Sequence, residues 1–277
     1  MRDAPTDGAY NRHPRRPGSC RCVVSPTAAR RNAMSLVADI PGAPQLSVVV
    51  PAYNEELCLG RCLEAMSRQT CPAERFEVIV VDNGSTDATA EIARHYGARV
   101  LAEPRKGVAR ARQTGFEAAR AKIIASTDAD GMVCPTWVAG ILSHFRADPD
   151  LGGVYGPVYW PDGRLLERML LRYPATWVLW SSNRVGRTLW WGSNFAVRRE
   201  VFHAAGGFPT DWRSCEDTDL SLRISRIARI RYDPAMVVRA SPRRAREGWA
   251  TIGRRTMADL ANRFLLGRPP PAFPDIR

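Results

Sequence analysis

The sequence predicts an α/β domain built on a mostly parallel sheet with helices on both faces. Three observations lead there. Near-continuous apolar runs recur at 46–50, 78–81 and 123–125, as expected of strands covered on both sides. Between them lie segments with apolar residues at helical spacing and turn or cap residues at their ends. The two kinds of segment alternate, which favours crossover connections and a parallel sheet over a meander of hairpins.

Taken in order, Leu46, Val48, Val49 and Val50 form a strand ended by Pro51. Asn54 is placed to cap the next segment, where Leu59, Leu63 and Met66 recur at helical spacing until Pro72 stops it. Val78 to Val81 gives a second strand, followed by Asn83-Gly84 and a helix over about 87–96 that Gly97 closes. A strand at Val100, a helix over about 108–119, a strand at 123–125 and a helix from near Pro135 continue the alternation. Further on, Leu220, Ile224 and Ile227 share one face of a helix that opens on acids.

The ends read differently. Residues 1–44 are rich in Pro, Gly, Ser and Arg without apolar periodicity, which predicts a disordered basic tail, and Met34 offers an alternative start. The tail lacks the continuous apolar stretch of a secretory signal. One folded domain is expected over 45–245 and a helical or irregular extension over 246–277. No apolar run is long enough to span a bilayer, and the seven cysteines are scattered, so a reduced, cytoplasmic protein is expected.

The net charge is +12, and all but Lys106 and Lys122 of the 40 basic residues are arginine. The charge is diffuse. It suits anionic substrates or an anionic membrane surface, whereas no recognition helix, RNP-like strand or aromatic-basic repeat points to nucleic acid. Tyr173, Trp177, Trp180, Trp190 and Trp191, with Arg172, Arg184 and Arg187, read either as core packing or as a contact with the inner face of the membrane.

In open sheets ligands sit beyond the carboxyl ends of the strands. Those ends carry Pro51-Ala52-Tyr53-Asn54-Glu55, Asp82-Asn83-Gly84-Ser85 and Asp128-Ala129-Asp130. Asp128 and Asp130 flank one residue at a strand end, a spacing at which two carboxylates hold a hard cation against a diphosphate. A lone D-x-D is common in solvated loops, and the two polar strand ends beside it are what favour the metal clamp. Glu216-Asp217-Thr218-Asp219 places acids at a helix start, where the macrodipole alone would accept them. Asp219 is spaced to pair with Arg223, and Asp217 projects elsewhere, which leaves one acid free to work.

These residues converge. The strings VVVPAYNEE, VVDNGSTD, RKGVARARQTG, TDAD, WGSNFAVRREVFHAAGGF and EDTDLSLR, in this order, closely resemble family 2 glycosyltransferases of the inverting type. The resemblance covers 46 to about 245 and implies the GT-A fold, a three-layer α/β/α sandwich. It implies a nucleotide-diphosphate sugar donor (a UDP, GDP or dTDP sugar), a sugar or lipid-linked acceptor, and Mn²⁺ or Mg²⁺ as cofactor. Carried over by position, it implies that Pro51, Ala52, Tyr53 and Glu55 surround base and ribose and that Asp82 contacts the base. Lys106, Gly107 and Arg110 then approach the diphosphate, with Gln113 standing where asparagine is common. Asp128 would reach ribose or metal, Asp130 would ligate the metal, and Ser193 and Asn194 would lie near the donor sugar. Asp217 would be the base, with Glu216 beside it, and its charged form would be favoured at a helix start.

Ser241-Pro242-Arg243-Arg244 with Trp249 loosely resembles a basic motif of relatives, and His95, His144 and His203 receive no site. Two other readings remain. A sugar-phosphate nucleotidyltransferase would need a glycine-rich basic loop after the first strand, where PAYNEE stands. A non-catalytic basic adaptor for membrane or nucleic acid is the other, and positive charge alone would permit weak, salt-sensitive binding to nucleic acid.

Overall fold

A computed structural model describes residues 44–159, 190, 192–212 and 215–241. Along the chain, β1 (Leu46–Ala52) leads to α1 (Leu59–Ser67), β2 (Phe76–Asp82), α2 (Thr89–His95) and β3 (Arg99–Ala102). Then come α3 (Val108–Ala118), β4 (Ile123–Ser126), β5 (Gly131–Val133), α4 (Trp137–Ala147), β6 (Leu151–Tyr155) and β7 (Val158–Tyr159). The later part holds β8 (Phe195–Arg198), α5 (Arg199–Ala204), α6 (Glu216–Ile224), β9 (Arg229–Tyr232) and β10 (Val238–Ala240).

The main sheet has the order β3-β2-β1-β4-β8-β6-β9, and β5-β10-β7 form a smaller one. β3, β2, β1 and β4 are mutually parallel, as the apolar runs predict. β8 runs antiparallel to both β4 and β6, with Phe195 beside Ser126. That reversal has a functional effect: the residues that feed β8 arrive at the rim where β1, β2 and β4 end.

Alternate side chains of each central strand enter opposite cores. Val48, Val50, Val78 and Val80 pack with Leu59, Leu63 and Met66 of α1 and with Trp137 and Ile141 of α4. Val49, Ile79 and Val81 pack on the other face with Phe116 of α3, Phe202 of α5 and Leu220 of α6. Burial on both faces is why these strands read as continuous apolar runs. α3 lies close on its face: a Cβ on Gly115 would come 2.3 Å from Val49 Cγ1 and 2.9 Å from Val81 Cγ2.

Two expectations are corrected. Asn54 does not cap α1, which starts after Cys58 without a side-chain cap. Its backbone is left-handed (φ 51). It clips two rim loops together instead, accepting from Thr86 N at 2.9 Å and donating its own N–H to Ser85 Oγ at 2.9 Å. Ile227 does not continue the buried face of α6; the helix ends at Ile224, and Ile227 is 54% exposed where the chain turns into β9. The strands β5, β6, β7 and β10 are two to five residues long and carry glycines in β5 and β6, so they lack the apolar run that marks β1 and β2.

Trp190 is 2% exposed and stacks on Phe195 with ring centroids 4.7 Å apart, so at that position the core reading holds. Tyr173, Trp177, Trp180, Trp191, the tail before 44, the extension 246–277 and Arg243, Arg244 and Trp249 lie outside the described residues. Among the described residues no helix is long and apolar enough to cross a membrane.

Candidate active site

The parallel strands bring their carboxyl ends to one rim. Asn83 N donates to Ala52 O at 2.8 Å and Glu103 N to Asp82 O at 2.9 Å, so the loops after β1, β2 and β3 leave side by side. Pro51 and Ala52 are buried inside β1, while Tyr53 and Glu55 are half-buried at its end. The β2 and β4 axes are separated by two strand spacings, roughly 10 Å, so Asp82 and Asp128 stand on either side of the β1 loop.

The turn after β2 is tightly organised. Asp82 Oδ1 accepts from Ser85 N at 2.9 Å. Asn83 donates through Nδ2 to Glu103 O and Arg105 O, both at 2.8 Å, and accepts Gly107 N at 2.8 Å. Lys106 Nζ donates to Asn83 O at 3.0 Å and Gly84 O at 2.8 Å, and lies 3.4 Å above the Tyr53 ring centroid. Two positions expected to face a diphosphate are therefore engaged by the protein itself. Gly107 does need to be glycine, at φ 133, but its N–H holds Asn83. Arg110 is half-buried and forms no ion pair with a described residue.

Arg112, two residues on, is the centre of the site and was not singled out by the sequence. Its Nη2 donates to Asp128 Oδ1 at 2.6 Å and its Nη1 to Glu216 Oε1. One guanidinium thus ties a strand-end acid, Asp128, to an acid of α6, Glu216. Burial opposes its charge, yet the carboxylates of Asp128, Glu216 and Asp217 outweigh burial and hold it protonated. A usable signal existed: Val108, Ala109, Ala111, Gly115 and Phe116 form the small and apolar stripe of α3, and Arg112 stands inside it. A charge within such a stripe is a buried charge with partners.

Glu216 lies beside Asp217 at the start of α6 and faces Arg112. It is 3% exposed, against Arg112. Burial pushes its carboxyl up to about 7, with the pull of Arg112 opposing and the neighbouring Asp217 adding to the rise. Asp217 is half-buried; Oδ2 accepts Gly192 N at 2.5 Å and Oδ1 accepts Thr218 N at 2.7 Å. Asp219 pairs with Arg223 at 2.7 Å, as its spacing predicts.

The segment feeding β8 closes the cluster. A Cβ on Gly192 would lie 2.5 Å from Arg112 Nη1, so only glycine lets the loop pass the guanidinium. Ser193 is buried. Asn194 is corrected: it is 0% exposed and turned inward, accepting from Trp137 Nε1 at 2.8 Å and donating to Pro157 O at 2.8 Å and Met236 O at 2.6 Å. It joins elements rather than facing a donor sugar. Gln113 accepts Phe208 N at 2.8 Å and donates to Glu117 at 2.7 Å, a tether between α3 and the segment after α5.

Asp128 and Asp130 are both half-buried at the end of β4. Burial, reinforced by the Asp130, Asp128 and Glu55 carboxylates, pushes the Cys62 thiol well up, a sign of concentrated negative field behind the rim. Among the described residues no group of three or more His, Cys, Asp or Glu is placed to enclose a metal. Two carboxylates with the remaining ligands drawn from phosphate and water are the usual set for Mg²⁺, and the hard oxygen donors fit that requirement.

The family model for glycosyl transferase family 2 matches residues 47–206. The chain belongs to this family. The probable glycosyltransferase YdaM of Bacillus subtilis is 30% identical over 70% of this chain and 50% of its own length. The validoxylamine A glucosyltransferase of Streptomyces hygroscopicus subsp. limoneus is 37% identical over 76% of this chain and 55% of its own. The chain spans about half the length of these curated relatives. Among solved structures, the mannosyltransferase PcManGT from Pyrobaculum calidifontis, in complex with GDP-Man and Mn²⁺, aligns over 88% of this chain and 72% of its own with a TM-score of 0.65 and 24% identity. TarS from S. aureus, in complex with UDP-GlcNAc, aligns over 71% and 58% with a TM-score of 0.59 and 20% identity. These likenesses carry the fold, which is GT-A.

Proposed function

We propose that the chain transfers a sugar from a nucleoside diphosphate sugar to an acceptor hydroxyl with inversion at the anomeric carbon. The observation that carries this is the Arg112 bridge, which joins Asp128 of the D-x-D after β4 to Glu216 of α6, the neighbour of Asp217. In this reading Tyr53, Glu55 and Asp82 receive base and ribose, on a floor shaped by Pro51 and Ala52. Arg110 faces the diphosphate, and Ser193 lines the approach to the sugar. Asp130 and Asp128 hold Mn²⁺ or Mg²⁺, which when bound screens the charge developing on the departing diphosphate.

Asp217 is the base. Its Oδ1 is held by the N–H and hydroxyl of Thr218, and its Oδ2, oriented by the N–H of Gly192, keeps a lone pair for the acceptor. The acceptor oxygen attacks the anomeric carbon opposite the leaving diphosphate, the carbon–oxygen bond to phosphate breaks, and the acceptor's proton passes to Asp217. Glu216 takes no proton from the acceptor; it positions Arg112.

Calorimetry with UDP-, GDP- and dTDP-sugars, with and without Mn²⁺, tests the reading, followed by diphosphate release with sugar and lipid-linked acceptors. Asp217→Asn is expected to keep donor affinity and to lose transfer by about 100-fold or more. Absence of binding to every sugar nucleotide would overturn the proposal. For a lipid-linked acceptor, Arg172, Tyr173, Trp177, Trp180, Arg184 and Arg187 supply membrane contact at the inner face, and salt-sensitive liposome binding tests that.

A further inference from the structure

We infer that Lys106 is a positioning residue for the nucleoside part of the donor and not a ligand of its diphosphate. The inference rests on the nucleotide-sugar reading of the rim. An ammonium has three N–H groups. Two of them go to Asn83 O and Gly84 O at 3.0 and 2.8 Å, and the Tyr53 ring lies beneath the same nitrogen at 3.4 Å to its centroid, well within cation–π range. A phosphate at Nζ would have to displace one of these partners.

The surroundings are built to receive the ammonium. Gly84 has φ +75, and a Cβ there would come 3.3 Å from Nζ, so glycine both permits the turn and leaves the approach open. Asn83 fastens the turn from its other side to Glu103 O, Arg105 O and Gly107 N. Lys106 therefore joins three separate pieces of chain: the end of β1 through Tyr53, the turn after β2, and the start of α3. Asp82 opens that same turn and is oriented by Ser85 N. The consequence is a preformed surface of ring and carboxylate on which a base is received, without the ordering cost that a loose loop would add.

The test separates nucleoside from phosphate. Uridine, guanosine, thymidine and their diphosphates are titrated calorimetrically against the full chain, Lys106→Met and Lys106→Arg. Lys106 is exposed, so its replacement leaves the core intact. For whichever base binds, Lys106→Met is expected to weaken nucleoside and diphosphate by the same factor, roughly fivefold, with Lys106→Arg recovering part through its own stacking on Tyr53. Amide hydrogen exchange over 82–86 is expected to quicken in Lys106→Met. A loss confined to the diphosphate would overturn the inference and make Lys106 a phosphate ligand. Tighter nucleoside binding by Lys106→Met would also overturn it, since the lysine would then be covering the base's own face. If no nucleoside or diphosphate binds the unaltered chain, the glycosyltransferase reading fails and the nucleoside role falls with it. Unchanged exchange over 82–86 would independently refute the ordering of the turn by Lys106.

Discussion

Replacing Glu216 by glutamine tests whether the acid facing Arg112 titrates near neutrality. Its carboxyl moves from 4.5 to about 7 on folding because burial outweighs Arg112. A folded pKa above the unfolded one means that the native state holds the proton more tightly. The contribution to stability is thus full below the unfolded value and is lost as pH rises through the folded one. From about pH 5.5 to about pH 8 the loss is about 2 kcal/mol. For a domain of this size that lowers the melting temperature by roughly 4–8 °C. Arg112, Asp217 and Asp128 face the same carboxyl, and all three remain in the variant, so the difference between the two pH profiles isolates Glu216. Melting by circular dichroism across this interval is expected to show the decline in the natural chain and a flatter profile in Glu216→Gln. Parallel profiles would refute the reasoning, because Glu216 would then keep one protonation state throughout.

Arg112→Met strands two carboxylates, one of them buried, and is expected to cost about 3–5 kcal/mol in denaturant unfolding. Combining it with Glu216→Gln should recover much of that stability while transfer stays low, since Asp128 still lacks its partner; restored transfer would reduce Arg112 to a folding role. Asn194→Ala orphans the Trp137 N–H and two backbone carbonyls, and roughly 3 kcal/mol of lost stability is expected by the same measurement. Gly192→Ala would drive a methyl into the Arg112 guanidinium, and transfer should fall more than donor affinity, as separate kinetic and calorimetric measurements would show.

The central strands and the helices α1 to α4 were legible because burial on both faces leaves runs such as Val48 to Val50 and Val78 to Val81 with no polar member to blur them. The D-x-D and the acids of α6 were legible as residue types at element ends. What the sequence could not supply was partners. Arg110 and Arg112 are two apart and so point to different sides of α3; the apolar stripe marks Arg112 as the inward one, but not the Asp128 and Glu216 that it meets. Glu216 and Asp217 are likewise neighbours on one helix, and their division into buried partner and half-exposed acid depends on where Arg112 arrives. The partners of Lys106 and Asn194 escaped for a related reason: they are mostly backbone carbonyls, which leave no trace in side-chain identity.

Gly115 touches none of the acids, yet it sets the height at which α3 rides on the sheet. Arg112 sits one turn earlier on that helix, so a methyl group at 115 would tilt or raise the whole rod and swing the guanidinium away from Asp128 and Glu216 together. Damage to catalysis would then originate one helical turn from the guanidinium, at a contact with the sheet. A survey of tolerated substitutions that tracked distance from substrate would miss this position, whereas one that tracked helix-to-sheet clearance would find it first.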